Sequence, residues 1–419
     1  MKIALLSYEY PPDTAYGGIA TYMYQVAKML VQRNHHVEVF TCSPDRTGTY
    51  LEEGVTVHRI RAEEDRNNRR NFAARIANAF AIRHIQVDFD VLEGAEAGAH
   101  AREISKFAPE IPLVIKLHTP TFICSQLGYV KLPLELKSRI ILGAVRRGRK
   151  PELPDKPQYN AENDIERLHT LEADEITTPS IAMGEKLVDI WQLPKDKLVH
   201  IPNPYIPSED LLKIPIDTKT NVISFIGRLE MRKGITELTE AIPLIIKKYP
   251  EAKFRFIGES CRPSPNFRLD MQEYIKKRLK RYIKALEFTG YIPLNRIPEM
   301  LLNTDICVFP SRWENFPNVC LEAMAAGRGV VGSNAGGMTD MLSASAGLLV
   351  PPYNSPQIAE ALLKLLKEPN LRMSLGAAAR DRVLSEYNLE KIGSLQEASY
   401  IRAIKRRKIL GKRNESSYN

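Results

Sequence analysis

Residues 310–341 have the sequence PSRWENFPNVCLEAMAAGRGVVGSNAGGMTDM, which decides the fold of the second half of the chain. The run DICVFPS at 305–311, which leads into it, is short, apolar and rich in β-forming residues, so it predicts a buried parallel strand. The turn residues Trp313–Pro317 follow, and Asn318 suits the N-cap of an apolar helix over 319–326. Strand, loop and helix in this order form the unit of an open α/β sheet, which binds ligands where its strands end.

Two carboxylates and one helix N-terminus are predicted to share that cleft. Glu314 lies in the loop before the helix, and Glu322 lies one turn inside it. Carboxylates suit sugar hydroxyls, whereas the free N–H groups of residues 318–320 suit an anion such as a phosphate. A nucleotide sugar carries both kinds of group, so the stretch predicts a nucleotide-sugar site.

The spacing of Glu314 and Glu322 resembles the E-x7-E signature of the retaining GT-B glycosyltransferases of family four, and other segments match that family in order over most of the chain. Two departures stand out. The family usually has Gly at the positions of Asn315 and Pro317, and Pro at the position of Gly329. The resemblance implies two doubly wound Rossmann-like α/β domains that face an interdomain cleft, with a C-terminal helix crossing back to the N-terminal domain.

Three parts of the chain are predicted on this basis. Residues 1–203 form an acceptor-side Rossmann-like domain, residues 204–386 form a nucleotide-sugar-binding one, and residues 387–419 form the crossover helix with a basic tail. The prolines of LVHIPNP, at 198–204, suit the extended crossing between the two domains.

Length and composition set the limits of these predictions. The chain has 419 residues, which suffices for two full domains, and its 44% hydrophobic and 26% charged content is ordinary for a soluble globular protein. Five scattered cysteines without metal-ligand spacing predict a reducing, cytoplasmic setting. The formal net charge of +9 predicts an anionic partner. No run approaches the roughly 20 apolar residues of a spanning helix, and the N-terminal apolar run is too short for a signal peptide.

The N-terminal domain offers two candidate regions. An apolar strand over 2–8 runs into Gly17 and Gly18, and a helical pattern over 19–33 follows. Glycines there let a phosphate or sugar approach the backbone, although a plain βα turn needs them too. His118 closes the strand LVIKLHT and so lies at its carboxyl end, where a lone histidine is usually structural. The resemblance implies that the glycines lie beside the donor phosphates and that His118 contacts the transferred sugar.

Two cations characterise the start of the second domain. Arg228 and Lys233 lie in the loop between a strand and a helix, within NVISFIGRLEMRKGI. Arginine can bond two phosphate oxygens at once and lysine adds a point charge, so this place predicts diphosphate binding over plain surface charge. Both residues stand at positions that the family uses. The turn at Tyr291 is a weaker candidate for contact with the base.

The resemblance implies metal-independent transfer of a hexose, with retention, from a nucleotide-diphosphate sugar to a hydroxyl acceptor, and it implies no cofactor beyond that donor. No residue fits a carboxylate nucleophile, so front-face attack with the phosphate as base is favoured. Glu322 is expected to hold the ribose and Glu314 the sugar. The implied catalytic residues are His118, Glu314, Arg228 and Lys233. The implied donor-binding residues are Gly17, Gly18, Arg228, Lys233, Tyr291, Glu314, Asn315, Phe316, Pro317, Asn318, Val319 and Glu322.

Two motifs are rejected on their context. Asp88-Phe89-Asp90 matches the D-x-D metal motif of other glycosyltransferases, but it enters a strand from its N-terminal side instead of following one. Residues 327–332 fit G-x-G-x-x-G, but they follow a helix and enter a strand, which excludes a dinucleotide oxidoreductase. No module of basic and aromatic residues supports nucleic-acid binding.

Three basic segments leave alternatives open. Residues 69–84 predict a helix that packs on the core, or one that meets anionic lipid. Residues 132–149 predict an acceptor or membrane contact, or an ordinary surface insertion. The run 405–408 predicts a solvated tail, or one near an anionic membrane at its inner face. Together they favour a lipid-linked or envelope-glycan acceptor. A non-catalytic sugar-nucleotide scaffold and a GT-B epimerase remain as alternative functions.

Overall fold

A computed structural model describes residues 1–14, 17–62, 68–151, 153, 156–343 and 345–416, without the side chains of 68–71 and 411–416. The charges of Arg69 and Arg70, part of the first basic segment, therefore lie outside the described residues. Among the described helices, none combines the length and apolar character that crossing a bilayer requires.

The first half of the chain forms an eight-stranded sheet. Its strands are β1 (Lys2–Ser7), β2 (His36–Ser43), β3 (Gly48–Glu52), β4 (Val55–Arg61), β5 (Val91–Ala95), β6 (Leu113–Lys116), β7 (Glu175–Thr178) and β8 (Leu198–His200). Their order is β3-β4-β2-β1-β5-β6-β7-β8, and every pair is parallel except β3 with β4. The strand order reverses between β1 and β5, so ligands are expected at the loops that follow these two strands.

The second half forms a six-stranded parallel sheet. Its strands are β9 (Val222–Ile226), β10 (Lys253–Ile257), β11 (Leu286–Gly290), β12 (Ile306–Phe309), β13 (Gly329–Ser333) and β14 (Leu348–Val350). They lie in the order β11-β10-β9-β12-β13-β14. The order reverses between β9 and β12, which places the loop of Arg228 beside the loop of Glu314.

Helices cover both sheets. They are α1 (Gly18–Gln32), α2 (Asn68–Val87), α3 (Ala101–Phe107), α4 (Thr121–Gly128), α5 (Leu134–Arg146), α6 (Ile165–Glu172), α7 (Ile181–Trp191), α8 (Glu209–Leu212), α9 (Ile235–Lys248), α10 (Met271–Arg278), α11 (Ile297–Leu302), α12 (Asn318–Ala325), α13 (Met338–Leu342), α14 (Ser355–Lys367), α15 (Pro369–Glu386) and α16 (Leu389–Ser416). Two doubly wound α/β units result, as expected for the GT-B fold.

The first basic segment contributes to the core. Phe72, Ile76 and Phe80 of α2 are buried, and Arg83 donates to both oxygens of Glu38 on β2. The apolar positions recur at helical spacing, so one face of α2 packs on the sheet. This confirms the core-packing interpretation of 69–84.

The last helix returns to the first sheet. Glu93 on β5 is fully buried and accepts hydrogen bonds from the Tyr400 hydroxyl at 2.7 Å and from the Gln396 amide at 2.6 Å. The Tyr22 hydroxyl of α1 donates to its other oxygen at 2.6 Å. The predicted crossover of the C-terminal helix onto the N-terminal domain is therefore confirmed.

The basic run 405–408 is not a solvated tail. Arg407 bonds Asp174 at 2.7 Å and the Pro109 carbonyl at 2.9 Å, and Arg406 pairs with Glu175. These carboxylates lie at the start of β7, which α16 crosses. The prediction of a free tail is wrong for its two arginines, because their charges anchor α16 to the sheet.

Candidate active site

The centre of the site is the carboxylate of Glu314, just after β12. The side chain is buried, its Oε1 contacts the Lys233 ammonium, and the Ser311 hydroxyl donates to it at 3.0 Å. Arg232 lies 3.8 Å away. Burial alone would raise the pKa of Glu314, but Lys233 and Arg232 outweigh it and hold that pKa below its usual range. Glu314 is therefore an ionised acceptor between two cations.

Two glycine loops bring these groups together. Gly234 ends the cationic loop with φ +73°, and a Cβ there would lie 1.9 Å from the Pro310 carbonyl oxygen. Gly336 has φ +76°, and its Cβ would lie 2.0 Å from the Glu314 carbonyl oxygen. Only glycine fits a left-handed backbone at such an approach. The contact between the loops after β9, β12 and β13 thus depends on both positions.

The three arginine and lysine side chains of the β9 loop differ in accessibility. The Arg228 side chain is 61% exposed and lies 3.4 Å from Glu230. Arg232, which sequence reasoning did not single out, bonds Glu230 at 2.6 Å and is mostly buried. Its position next to Lys233 was the available signal. Two of the three cations therefore face Glu314, and Arg228 remains open to solvent.

Glu322 lies one turn inside α12 with a buried oxygen. Its Oε2 has no hydrogen-bond partner within the described residues, and burial raises the pKa of Glu322 to about 7. Leaving a buried acceptor unpaired costs about 1–3 kcal/mol, so such a group is a candidate to receive a ligand hydroxyl.

The start of α12 differs from the prediction in one respect. The helix begins at Asn318 itself, the N-cap residue is Pro317, and no side chain caps the first turn. Asn318 as N-cap was wrong, because the extended backbone of Pro317 already occupies the cap position. The uncapped N–H groups at Asn318 and Val319 keep their anion-binding capacity.

The two aromatic candidates, Phe316 and Tyr291, make no described contact with Glu314 or its cations. The Phe316 ring is buried and packs edge-on against Tyr387 at 5.3 Å between ring centroids. Tyr291 follows β11 and is 69% exposed. Among the described contacts, neither ring touches the Glu314 cluster, which consists of Glu314, Lys233, Arg232 and Ser311. Their roles in donor binding stay predictions.

His118 follows β6 in the first domain, with a defined tautomer. Its Nδ1 lies 3.1 Å from the Lys116 carbonyl oxygen, which can only accept, so Nδ1 carries the proton. Its Nε2 is buried without a partner in the described chain. The Tyr22 ring packs edge-on against the imidazole at 5.3 Å. His118 therefore has one ring nitrogen, Nε2, without a partner in the described chain.

Glu96, which the sequence analysis missed, is the neighbour of His118. One of its oxygens accepts the His118 N–H at 2.8 Å and lies 3.3 Å from Nδ1, and the other is buried without a partner among the described residues. Glu96 directly follows β5, at the switch point of the first sheet. Its place after a buried strand was the signal that could have identified it.

A cavity of about 80 Å³ opens at the same switch point. The glycine pair lies at its edge: a Cβ at Gly17 would be 3.3 Å from the Glu9 carboxylate, and one at Gly18 would meet nothing within 4 Å. Both glycines are exposed at the start of α1. The side chains lining the cavity include Ser7, Tyr8, Glu9, Ile19, His100 and Thr121.

Asn315 joins the two halves of the site. Its amide donates to the His118 carbonyl oxygen, and its Oδ1 accepts from the Ser180 hydroxyl at 2.6 Å. The Ile181 N–H donates to Asp340 Oδ2 at 2.7 Å nearby. The loop of Glu314 and the strand end of His118 therefore meet in one cleft.

The rejected acidic motif lies away from this cleft. Asp90 accepts the Lys2 N–H at 2.7 Å at the start of β5, the end of the sheet opposite His118. Within the described part of the chain, His, Cys, Asp and Glu side chains form no group of three or more that could hold a metal ion. Metal independence itself stays a prediction.

Comparisons with known proteins agree with this geometry. The sequence model described as "Glycosyl transferases group 1" matches residues 208–382, and the model described as "Glycosyltransferase Family 4" matches residues 16–209. An uncharacterized glycosyltransferase of Methanocaldococcus jannaschii is 26% identical over 416 residues, which cover 94% of this chain and 96% of that protein.

Solved structures show the same fold. Sucrose-phosphate synthase from Thermosynechococcus elongatus superposes with a TM-score of 0.70 at 20% identity, covering 95% of this chain and 98% of that one. Anabaena HepE in complex with UDP-glucose superposes with a TM-score of 0.66 at 16% identity, covering 94% and 98%. The chain is thus a GT-B glycosyltransferase and belongs to glycosyltransferase family four.

Proposed function

We propose that the protein transfers a hexose, with retention and without a metal, from a nucleotide-diphosphate sugar to a hydroxyl acceptor. The observation that carries this proposal is that each domain has a buried polar atom without a hydrogen-bond partner among the described residues. Within the described part of the chain, these atoms are Glu322 Oε2 on the second domain and His118 Nε2 on the first. Both groups lack the hydroxyl donors that a sugar nucleotide would supply.

The diphosphate of the donor binds to the cationic loop of the second domain. Arg228, Lys233 and Arg232 all lie in the loop after β9, and the uncapped start of α12 faces the loop of Glu314. Negative charge grows on the departing diphosphate in the transition state. Fixed cations and N–H dipoles at that point lower the barrier most.

The carboxylates and the histidine hold hydroxyls. Glu322 accepts from the ribose, and Glu314, kept ionised by its cations, accepts from the hexose. The unpartnered Nε2 of His118 forms a hydrogen bond with a hexose hydroxyl on the opposite side. A diphosphate oxygen of the leaving group then accepts the proton of the incoming acceptor hydroxyl as the new glycosidic bond forms on the same face.

Helix α5 supports a lipid-linked acceptor. Leu134, Ile141 and Val145 recur at spacings that place them on one face, and all three are exposed, Leu134 by 83% and Val145 by 62%. No described ion pair involves the cations around this helix. An exposed apolar stripe flanked by cations favours peripheral contact with an anionic membrane. The cations are Lys131, Lys137, Arg139, Arg146, Arg147, Arg149 and Lys150.

The test is a thermal-shift panel of UDP-, GDP- and ADP-sugars on the wild type, Arg228→Ala and Glu322→Ala, with and without a chelator. One donor should raise the melting temperature, the shift should shrink in both variants, and the chelator should change nothing. Absence of any shift would contradict the proposed donor site, and a shift without turnover of the bound donor would favour the scaffold alternative. Conversion of the donor to an epimeric sugar nucleotide without an acceptor, followed by proton NMR, would favour the epimerase.

A further inference from the structure

A second, larger cavity lies apart from the Glu314 cluster. It is open to solvent, has a volume of about 570 Å³, and lies between α5 of the first domain and residues 267–268 of the second. Leu136, Ile140 and Gly143 line it from α5, on the helix face opposite the exposed stripe of Leu134 and Val145. The complete lining is Leu136, Arg139, Ile140, Gly143, Arg147, Phe267 and Arg268.

Three guanidinium groups surround this cavity without acidic partners. Within the described residues, Arg139, Arg147 and Arg268 form no side-chain hydrogen bond or ion pair, and no acidic residue lines the cavity. The Arg147 side chain folds back along α5 toward Gly143. Its Nη1 lies 3.5 Å from the position that a Cβ on Gly143 would occupy. Three exposed arginines therefore line one open groove with no counterion among the described residues, which favours an anionic ligand.

The apolar residues that line the cavity restrict which chemical group is attached to the anion. Phe267, Leu136 and Ile140 give the cavity an apolar wall beside the arginines. Guanidinium groups match phosphate oxygens in pairs, whereas an aromatic ring and aliphatic side chains match hydrocarbon. A free inorganic anion would leave that apolar wall in contact with water. One ligand class satisfies both halves: a phosphate attached to a hydrocarbon chain.

We propose that this cavity binds the phosphate and the first hydrocarbon segment of a lipid. The inference rests on the proposed function in that the bound lipid would carry the acceptor hydroxyl to the cleft. A phosphorylated prenyl chain and a glycerophospholipid share the required chemistry. The exposed face of α5 would rest on the bilayer while its inner face holds the lipid head.

Calorimetric titration of the full chain tests this site. The probes are farnesyl phosphate and dihexanoyl phosphatidate, each below its micelle concentration, with inorganic phosphate and farnesol as comparisons. At least one phosphorylated lipid should bind more than tenfold tighter than phosphate or farnesol. Arg268→Gln should weaken that binding about tenfold and Arg147→Gln with Arg268→Gln about a hundredfold, as expected for charge-assisted hydrogen bonds. Arg281→Gln, an exposed arginine elsewhere, is the matched control and should change nothing.

Two results would overturn the proposal. Inorganic phosphate binding as tightly as either lipid would reduce the site to a plain anion contact, and unchanged lipid binding in the double variant would place the lipid elsewhere. The tighter of the two lipids identifies the source. Nucleotide-sugar binding, measured in the same samples, should stay intact in the arginine variants. Its absence in the wild type would contradict the proposed function without altering the lipid result.

The side chain of Asn315 connects the two domains and supports a second, independent inference. Asn315 stands where the family usually has glycine, and it is buried. Both of its side-chain hydrogen bonds cross from the second domain to the first, to the His118 carbonyl oxygen and to the Ser180 hydroxyl. Ser180 also accepts the Met183 N–H at 3.2 Å and so caps α7. One side chain therefore connects the loop of Glu314 to the strand end of His118.

We infer that Asn315 is an interdomain latch that favours the closed cleft in the free protein. A glycine at 315 could make neither hydrogen bond, so the latch is a property of this chain. It acts as a positioning residue: it sets the place of Glu314 and His118 relative to each other. Closure is expected to affect turnover more than donor binding, because the donor's principal contacts lie on the second domain.

Hydrogen exchange and kinetics of Asn315→Gly test the latch. Amides at 118–121 and 181–184 should exchange faster without ligand, kcat should fall about tenfold, and KM for the donor should change less than threefold. Asn315→Asp, which keeps the shape but loses the amide donor, should fall between the wild type and Asn315→Gly. Asn303→Ala, a surface asparagine, is the control. Unchanged exchange and unchanged kcat in Asn315→Gly would overturn the latch, as would an equal loss in Asn303→Ala.

Discussion

Glu93 and Glu322 are two carboxylates with buried oxygens, one in each domain, and they differ in their partners: Glu93 is fully buried, whereas Glu322 is partly exposed with its Oε2 buried. Glu93 accepts three hydrogen bonds from Tyr22, Gln396 and Tyr400. Glu322 has a buried oxygen that nothing in the described chain satisfies. Burial raises the pKa of both, in the case of Glu322 to about 7.

The difference separates a structural acid from a binding acid. Three protein donors around Glu93 join β5, α1 and the crossover helix, so its hydrogen bonds contribute to the fold. At Glu322 no described residue supplies a partner for Oε2, and a ligand hydroxyl is the natural candidate. A buried oxygen by itself does not distinguish the two residues, whereas the hydrogen-bond partners do.

The largest expected effect is on stability at Glu93. Glu93→Ala should lower the free energy of unfolding by about 3–5 kcal/mol, because it leaves two tyrosine hydroxyls and one amide buried without an acceptor. Denaturant unfolding followed by circular dichroism measures this. Glu93→Gln, which keeps one acceptor, should lose less. A loss under 1 kcal/mol in Glu93→Ala would remove the distinction between the two acids.

Glu322→Ala should produce the opposite pattern. Donor binding should weaken by about 2 kcal/mol, close to 30-fold, through loss of a charge-assisted hydrogen bond to the ribose. The free energy of unfolding should stay the same or rise, since an unpaired buried acceptor disappears. Calorimetry and denaturant unfolding on one preparation give both numbers. A clear loss of stability with unchanged donor binding would make Glu322 structural.

The pH dependence of the free energy of unfolding tests whether the pKa of Glu322 is raised. Its pKa of about 7 lies above the ordinary value of 4.5, so the folded state binds a proton that the unfolded state has released. The resulting stabilisation is complete below pH 4.5 and is lost as the pH rises toward 7. The free energy of unfolding of the wild type should therefore fall relative to Glu322→Gln between pH 4.5 and 7. Parallel curves for the two proteins would contradict the raised pKa.

The smallest expected effect concerns Tyr400. Tyr400→Phe removes one of the three donors to Glu93 and keeps the ring, so the free energy of unfolding should drop by about 1 kcal/mol. Donor affinity should not change. Chemical unfolding beside a nucleotide titration checks both expectations. A weakened donor affinity would mean that the Glu93 cluster also serves the binding site.

The fold and the donor loops could be predicted from sequence because their signals are local. Buried parallel strands such as β9 and β12 are short apolar runs with turns after them, and parallel strands end at one edge. The antiparallel edge strand β3 has the weaker pattern GTYLE, and no counterpart was predicted for it. The prediction of Asn318 as N-cap was wrong by one residue, because the helix begins at Asn318 and Pro317 is the N-cap.

The contacts that complete the site could not be predicted from local signals. Asn315 meets the His118 carbonyl 197 positions away, and Tyr400 meets Glu93 307 positions away. No periodicity connects residues across two domains. Glu96 has a local signal, its place after the buried strand β5, but its contact with His118 depends on where β5 and β6 place the two residues. The anchoring of Arg406 and Arg407 likewise depends on acids at the start of β7.

The most direct test of the central claim is a titration cycle at the ribose. The nucleoside diphosphate that the donor panel selects is compared with its 2′,3′-dideoxy analogue, on the wild type and on Glu322→Ala. If Glu322 binds the ribose hydroxyls, the analogue should bind the wild type at least tenfold more weakly and Glu322→Ala no more weakly than the parent compound. An equal loss on both proteins, or no binding of any nucleoside diphosphate, would contradict the account.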